Sequence, residues 1–411
     1  MYKFPGGVRY SPLMRDHLKI RLSTLMFLHY FSAGITLPIM SLYLSQELGF
    51  GGTGAGIILA VSAVSAFVAP LFGAFVTDRL ISAERLFSLV EFGAGAFIFL
   101  MWTSETFTAV LVFYVLYMSM LIPAMALSNT IVFHYMPEAG NSFGGVRLWG
   151  TVGWVVAGWA FGYFWIGYAG GRVIDAPLFT AISAGGLGLF ALTLPRGRGQ
   201  EPRRTELVPR AALRIFRRPE VALVAVVALL MQVTHRVYYF GAAPYLRHLG
   251  FSDGAILPAL SLGQVAEVLS MLVLPFLFLR FRHRTVLVMG AVMELCRFAA
   301  FYFGTSALPA ILGILFHGPS YTFFFIVSVI YVNSFADTES RAGVQQLYIL
   351  CVEGGGALGG SFLAGMLYDL FTRGDLVEYR YFWGVPFFMA LVSIGLLIHL
   401  NLHARQKAEP R

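Results

Sequence analysis

Two stretches of this 411-residue chain place polar side chains at helical spacing inside otherwise apolar sequence. In the first stretch, Arg147, Thr151 and Trp154 stand at positions i, i+4 and i+7, so a helix presents all three on one face. A cation, a hydroxyl and an aromatic plane on one face suit a ligand that carries a ring and hydroxyl groups. The alternative is that Arg147 extends to a membrane interface while Trp154 packs against a neighbouring helix.

The second stretch is the apolar run 255–279, which contains Gln264 and Glu267 at positions i and i+3. No basic residue within the run can neutralise Glu267. An apolar environment favours the protonated form of a carboxyl group, and an ionisable group inside a membrane helix by default marks a substrate or proton pathway. Glu267 is therefore our candidate for the group that accepts and releases a proton.

Other ionisable side chains also fall inside apolar runs, and several have a structural interpretation. Glu294 and Arg297 are three residues apart on a predicted helix and can neutralise each other. Glu91 and Glu353 lie in glycine-rich runs, where they either hold helices together or line a cavity. The remaining members of this set are His29, His134, His235, Arg236 and His317.

The composition indicates a polytopic membrane protein. Hydrophobic residues make up 58% of the chain and charged residues only 12%, about half of the charged fraction of a soluble domain. The apolar runs are continuous rather than alternating, which favours helices over a β-barrel. Both cysteines lie in apolar runs, so a disulfide framework is excluded. We predict twelve spans, at about 20–44, 54–77, 86–103, 107–134, 147–168, 176–194, 220–244, 255–279, 285–304, 308–332, 343–369 and 380–402.

The basic residues predict the orientation of these spans. Eight arginines lie between residues 195 and 219, and further basic residues precede the first span, separate the eighth from the ninth and follow the last. With twelve spans all these segments lie on one side, which the positive-inside rule makes the cytoplasm. Both termini are therefore predicted to be cytoplasmic, and the N-terminal segment lacks the features of a signal peptide. A cytoplasmic linker is favoured over nucleic-acid binding for the arginine-rich loop.

A weak internal repeat divides the chain into halves. Pro70 and Pro275 each end the second span of a half and are 205 residues apart. Two six-helix bundles joined by a basic linker resemble the architecture of the major facilitator superfamily. The predicted fold is thus an all-α polytopic membrane protein with two pseudo-symmetric bundles, at 1–194 and 220–411, and a cytoplasmic linker at 195–219.

Several motifs resemble those of the bacterial nucleoside–proton symporter family, a branch of that superfamily. They are Arg-Leu-Trp-Gly-Thr-Val-Gly-Trp at 147–154, Ser-Leu-Gly-Gln-Val-Ala-Glu at 261–267 and Leu-Ser-Asn-Thr-Ile at 127–131. The resemblance runs in order over roughly residues 25 to 370. Parts of it, notably His317-Gly318, are shared with symporters for oligosaccharides and aromatic acids, so the family is better defined than the substrate.

The resemblance implies specific site residues. It assigns nucleoside contacts to Arg147, Thr151 and Trp154, and further contacts to Gln264, Glu267 and Tyr321. The chain departs from the family at Thr322, where the symporters carry an acid, and at His235 and Tyr238, which align with a glutamine–asparagine pair. The full set of predicted substrate-binding residues is Asn129, Arg147, Thr151, Trp154, His235, Tyr238, Gln264, Glu267, Tyr321 and Thr322, with Glu267 also the proton-coupling residue.

The function predicted from these observations is secondary active transport, with proton-coupled uptake of a nucleoside or nucleoside-like solute at the cell inner membrane by alternating access. The alternatives are a proton symporter for a sugar, an oligosaccharide or an aromatic acid, and a substrate sensor of the same fold that does not transport. An enzyme, a channel and an exporter of apolar compounds are less favoured. We expect no cofactor, no metal and no nucleic-acid partner, and a monomer whose partners are a small hydrophilic solute, protons and the lipid bilayer.

Overall fold

The computed structural model describes residues 12–65, 81–136, 141–195, 210–337, 340–374 and 376–408. These residues are almost entirely helical, apart from a short antiparallel hairpin between Thr372–Arg373 (β1) and Leu376–Val377 (β2). Ten helices in the described ranges are long and apolar enough to cross a membrane. The chain is therefore a multi-pass membrane protein.

The helices follow one another through short connections. They are α1 (Pro12–Thr36, prolonged by short turns to Glu47), α2 (Gly51–Ser62), α3 (Ala83–Trp102), α4 (Phe107–Tyr135), α5 (Asn141–Ala157, continued by the π-helix Gly158–Tyr168), α6 (Ala176–Leu192), α7 (Arg210–Phe216), α8 (Pro219–His248), α9 (Asp253–Arg280), α10 (His283–Phe303), α11 (Ala307–Asn333), α12 (Arg341–Ile349, Leu350–Gly355 and Gly356–Leu370) and α13 (Tyr379–Ala408). Within α11 and α12 the turns Tyr321–Ile326 and Leu350–Gly355 are π-helical.

The helix boundaries bear on two of the predicted spans. The predicted break between the spans 285–304 and 308–332 is confirmed, because α10 ends at Phe303 and α11 begins at Ala307. The predicted span 54–77 begins within α2 and continues into residues outside the described ranges. Pro70 and most of the arginine-rich loop also lie outside these ranges. The count of twelve spans therefore stays a prediction.

The helices form two compact units. The first contains the described residues of Met1–Tyr43, Val64–Arg203 and Asp253–Pro258. The second contains those of Leu44–Ala63, Arg204–Ser252 and Ala259–Arg411. The two predicted bundles differ from these units mainly in the short segments 44–63 and 253–258.

In the first unit, glycines bring α1 and α5 into close contact. A Cβ atom on Gly153 would lie 2.2 Å from the carbonyl oxygen of Phe27, and one on Gly150 would lie 2.8 Å from the ring of Tyr30. Small residues allow such an approach of helix backbones in a membrane, where packing and hydrogen bonds rather than the hydrophobic effect drive helix association. This contact directs the Arg147 face of α5 towards α1.

In the second unit, a glycine likewise allows two helix backbones to approach closely where α9 crosses α11. A Cβ atom on Gly318 would lie 2.2 Å from the backbone nitrogen of Glu267. The residues that flank this crossing, His317 on α11 and Glu267 on α9, are thereby brought together.

The second unit also contains α2, which packs against α12. A Cβ atom on Gly56 would lie 2.8 Å from the Cα atom of Gly365, so these backbones are in direct contact. The carboxylate of Asp369 accepts hydrogen bonds of 2.7 Å from the backbone N–H groups of Gly52 and Thr53. An acidic group at this position satisfies free N–H groups of the first turn and complements the helix dipole.

Candidate functional site

In the first unit, the guanidinium group of Arg147 stacks on an aromatic ring. Its Cζ atom lies 4.2 Å from the ring centroid of Tyr30 on α1. The side chain is partly buried, and no described carboxylate lies within ion-pair distance of it. A cation–π contact of this kind holds an arginine in place without neutralising its charge, so Arg147 keeps its capacity to bind an anion or a polar ligand.

The other predicted residues of the first unit leave polar atoms available. Trp154 is partly buried and packs against the core that α1 helps to form. Thr151 is also partly buried. Asn129 donates from Nδ2 to the carbonyl oxygen of Met125 at 3.1 Å, while its Oδ1 atom is buried without a hydrogen-bond partner in the described structure. A buried amide oxygen without a partner is costly and readily accepts a hydrogen bond from a ligand.

The second unit contains a fully buried charged pair, Glu294 and Arg297 on α10. Arg297 donates to Oε1 of Glu294, as the sequence predicted from their spacing. Glu294 also accepts hydrogen bonds from Thr234 at 2.9 Å and from Ser320 at 2.5 Å. A buried ion pair is stable only when additional hydrogen bonds satisfy its remaining atoms, and these contacts satisfy both oxygens of Glu294.

Arg297 also determines the tautomer of His317. Its Nη1 atom lies 2.9 Å from Nδ1 of His317. A guanidinium group can only donate, so Nδ1 must accept and the ring proton of the neutral imidazole resides on Nε2. The Nε2 atom lies 4.0 Å from Oε2 of Glu267. The side chains of Glu294, Arg297, His317 and Glu267 thus form one continuous chain, which we call the α9–α11 polar chain.

The expectation that Glu267 lies in a run without a basic residue is incomplete, because the imidazole of His317 lies beside it. It rested on the composition of the run 255–279 alone, whereas the ionisable neighbour comes from α11. The close crossing at Gly318 brings His317 to Glu267. His317 was recognised in the sequence as a polar residue in a span but was not placed in the site.

An aromatic stack extends from this polar chain. The ring of His317 is nearly parallel to those of His235, Tyr238 and Tyr321, with centroid distances of 5.1, 5.2 and 6.1 Å. Arg297 lies 4.4 Å from the ring centroid of Tyr238. Offset and stacked rings of this kind contribute favourable packing, and an aromatic face at the edge of such a stack is a platform for a planar ligand. Tyr321 is partly exposed, whereas His235 and Tyr238 are buried.

The two remaining predicted residues of the second unit differ in exposure. Thr322 is buried, and its hydroxyl group donates to the backbone oxygen of Glu267 at 3.4 Å. Gln264 is partly buried. The hydroxyl of Thr322 is thus used within the fold, whereas Gln264 stays a predicted ligand contact.

A second carboxylate of this unit was not assigned a site from the sequence. Glu353 on α12 accepts a hydrogen bond of 2.7 Å from Gln232, and its Oε2 atom lies 3.9 Å from Arg236. Glu353 and Arg236 are each 38% exposed. The glycine-rich sequence around Glu353 was the available signal, since Gly356 and Gly360 let α12 approach α8 at Gln232 and Val233.

The α9–α11 polar chain is suited to holding one mobile proton. Arg297 keeps His317 as a hydrogen-bond acceptor, because a protonated imidazole could not accept from the guanidinium group. A change in the protonation state of Glu267 leaves the hydrogen bond between Arg297 and His317 intact. The side chain of Glu267 is 16% exposed, while that of His317 is 3% exposed. Of these two groups, Glu267 is the one that water reaches more readily.

Comparisons with known proteins identify the family of this chain. The profile of the nucleoside H+ symporter family matches residues 16–406. The putative nucleoside transporter YegT of Escherichia coli is 30% identical over 361 residues, covering 85% of this chain and 84% of the relative. The xanthosine permease of Escherichia coli is 27% identical over 402 residues, covering 91% of this chain and 94% of the relative.

The fold is also similar to a solved structure. The crystal structure of the nucleoside transporter NupG superposes with a TM-score of 0.81 at 22% identity, covering 94% of this chain and 98% of that chain. The similarity supports the major facilitator type of fold for the described helices. The family match covers almost the whole chain, from Asp16 in α1 to Gln406 in α13. This chain belongs to the nucleoside H+ symporter family.

Proposed function

We propose that the protein imports a nucleoside or nucleoside-like solute together with a proton, by alternating access in the cell inner membrane. The proposal includes twelve spans in two six-helix bundles, cytoplasmic termini and a monomer without a cofactor. The single observation that carries the proton-coupled part is the α9–α11 polar chain, in which Glu267 is the group able to change its protonation state. The similarity to YegT, a putative nucleoside transporter, and to the xanthosine permease supports the substrate class.

The substrate contacts in this proposal are residues predicted from the sequence. Arg147 and Asn129 supply a cation and an unsatisfied amide oxygen, and Gln264 supplies an amide. The faces of Trp154 and Tyr321 stack on the base, because aromatic side chains bind planar rings face to face. Thr151 offers a hydroxyl group to the sugar. Protonation of Glu267 removes a charge that is expensive in the membrane and thereby allows the loaded protein to change its conformation.

Substitution of Glu267 by glutamine tests the coupling. Purified protein is reconstituted in liposomes with labelled uridine and an imposed pH gradient, acidic outside. We expect Glu267→Gln to exchange uridine down its gradient at a rate close to wild type but to lose accumulation against a gradient, because glutamine imitates the protonated carboxyl group and cannot release a proton.

The matched control is Glu353→Gln, which changes the other partly exposed carboxylate of the second unit. We expect it to accumulate uridine as wild type does. Accumulation by Glu267→Gln with loss of accumulation by Glu353→Gln would transfer the coupling role to Glu353. Accumulation by both variants would overturn the assignment to either residue.

A second candidate substrate class is favoured by one observation. Arg147 is a partly buried cation without a carboxylate partner in the described structure, which is the group that an aromatic carboxylate requires. Competition distinguishes the classes. Uptake of labelled uridine that is inhibited by excess xanthosine but not by 3-phenylpropionate supports the nucleoside assignment, and uptake of labelled 3-phenylpropionate without uptake of uridine supports an aromatic acid.

A further inference from the structure

The first unit contains a buried histidine–glutamate pair that the proposed site does not use. Nδ1 of His29 on α1 lies 2.7 Å from Oε1 of Glu91 on α3, and the two side chains are 0% and 1% exposed. The rings of Tyr30 and Phe87 contact the imidazole edge-on at centroid distances of 5.2 and 5.6 Å. We call this pair the α1–α3 dyad.

The dyad has a vacant position for one proton. The carboxylate of Glu91 accepts from Nδ1 of His29, while Nε2 of His29 is buried without a hydrogen-bond partner in the described structure. With a neutral imidazole and an ionised carboxylate the dyad carries a net charge of −1. One proton added to Nε2 makes the net charge of the dyad zero. A net charge of zero lowers the cost of burying the dyad in the apolar interior of a membrane protein. The uptake forms one N–H bond, and the proton comes from water and returns to it.

Few described charged or titratable groups face the dyad. From α1 this group is the phenol of Tyr30, and from α4 it is that of Tyr117, whose ring pairs with Tyr114 and whose hydroxyl is buried without a described partner. From α5 the group is Arg147, which reaches the dyad only through the Tyr30 ring. On α6, the uncharged hydroxyl of Thr180 lies within hydrogen-bond distance of Thr36 on α1. No described carboxylate other than Glu91 is available to compensate a proton on His29.

The ring of Tyr30 links the dyad to the candidate substrate residue. One side of the ring contacts His29 edge-on, and the guanidinium of Arg147 stacks on it at 4.2 Å. A proton on His29 changes the net charge of the dyad beside this ring from −1 to 0. Arg147 then loses an electrostatic attraction towards the dyad, which releases the guanidinium for a ligand.

We propose that the α1–α3 dyad is a second proton-binding site, separate from Glu267, and that it promotes substrate capture by Arg147 through Tyr30. The link to substrate rests on the proposed function, whereas proton binding by the dyad does not. Binding of proton and substrate is reciprocal, because each favours the same state of Arg147. The affinity for substrate should therefore rise as the pH falls.

Proton uptake by the purified protein without substrate tests the site itself. When the pH of a weakly buffered sample is lowered from about 8 to about 6, Glu91→Gln should take up about one proton fewer than wild type. The matched control is Glu84→Gln, which changes another buried glutamate of α3, one whose partner is Tyr135 at 2.9 Å. We expect it to match wild type. Equal proton uptake by wild type and Glu91→Gln would overturn the proposal.

Uridine binding in a Glu267→Gln background tests the link to substrate, because any pH dependence that remains there arises outside Glu267. The affinity should be about fivefold or more higher at about pH 6 than at about pH 8, a typical size for coupling between sites. Adding Tyr30→Leu should abolish this difference, while adding Tyr30→Phe, which keeps the ring, should retain it. Loss of the difference in both would contradict the role of the ring.

The two measurements distinguish a failure of the nucleoside assignment from a failure of the dyad proposal. Absence of uridine binding by wild type, with normal proton uptake by the dyad, would overturn the nucleoside assignment and leave the proton site standing. Normal uridine binding and transport, with no proton difference in Glu91→Gln, would overturn the dyad alone. Thermal unfolding of each variant, measured in parallel, identifies any change that acts only through folding.

Discussion

At the scale of single residues, Arg147 has the most direct functional assignment. Its guanidinium lies on the Tyr30 ring and has no described carboxylate partner, so its charge is available to a ligand. The contact argues against a side chain that merely extends to the membrane surface. The assignment as a substrate contact stays a proposal until the residue is changed.

We expect Arg147→Ala to reduce uridine uptake to background while the protein is produced and inserted normally, since the side chain contributes a ligand contact and little to the core. Uptake in cells, normalised to the amount of protein in the membrane, measures the effect. Arg380→Ala is the control, because Arg380 is an exposed residue of α13 that makes a similar cation–π contact. Its Cζ atom lies 5.6 Å from the ring centroid of Tyr302. Wild-type uptake by Arg147→Ala would remove Arg147 from the site.

Arg297 has a structural role that can be separated from transport. Removing one partner of a buried ion pair leaves an uncompensated charge, which costs about 3–5 kcal/mol. We expect Arg297→Met to lower the free energy of unfolding by about this amount, because Glu294 would stay buried with its charge. Thermal unfolding of the purified protein in detergent measures it.

The double variant Glu294→Leu/Arg297→Met removes both charges and should recover most of the lost stability, since replacing a whole buried pair by apolar residues is often neutral. We also expect it to lack proton-driven accumulation, because His317 would lose the donor that fixes its tautomer. Equal instability of the single and double variants would show that the pair does not act as a unit.

At the scale of helices, glycines at the crossings determine which side chains meet. The crossing of α9 and α11 at Gly318 joins His317 to Glu267, and the contact of α1 with α5 at Gly150 and Gly153 joins Tyr30 to Arg147. Neither pair is close in sequence. Each functional contact therefore depends on a backbone approach that a larger side chain would prevent.

We expect Gly318→Ala to destabilise the protein by about 1–3 kcal/mol, the usual effect of overpacking, and to lower uridine accumulation more than downhill exchange. The reason is that the added methyl group meets backbone atoms of Ala266 and Glu267, so α9 and α11 must separate. The control is Gly359→Ala on α12, where a Cβ atom meets nothing within 4 Å. Equal behaviour of the two variants in unfolding and accumulation would contradict this role of Gly318.

At the scale of the whole molecule, the orientation in the membrane is still a prediction from charge. We expect single cysteines at Thr205 and Lys407, introduced after replacing Cys296 and Cys351, to react with a membrane-impermeant maleimide only when the cytoplasmic side is exposed. Labelling of intact cells and of inverted vesicles measures the two sides. Labelling of either position in intact cells would reverse the orientation or change the number of spans.

The membrane class, the approximate bounds of the ten described apolar helices and the family followed from the sequence alone. Long apolar runs separated by short charged segments suffice for the first two, because the hydrocarbon core imposes a minimum length and excludes charge. The motifs around Arg147 and Gln264 sufficed to predict the family, and the family match over residues 16–406 confirms that prediction. The pairing of Glu294 with Arg297 was also predictable, because both lie on one helix at a spacing of three.

Only the tertiary structure decided which groups act together across helices. Periodicity reports neighbours within one helix, but it contains no information about where two helices cross. Glu267 therefore looked isolated in sequence, although α11 brings His317 to within 4.0 Å of it. His29 and Glu91, 62 residues apart, likewise gave no sign of the contact at 2.7 Å. Both contacts depend on helix packing, and so the proton chemistry proposed for this protein belongs to its fold rather than to any one segment.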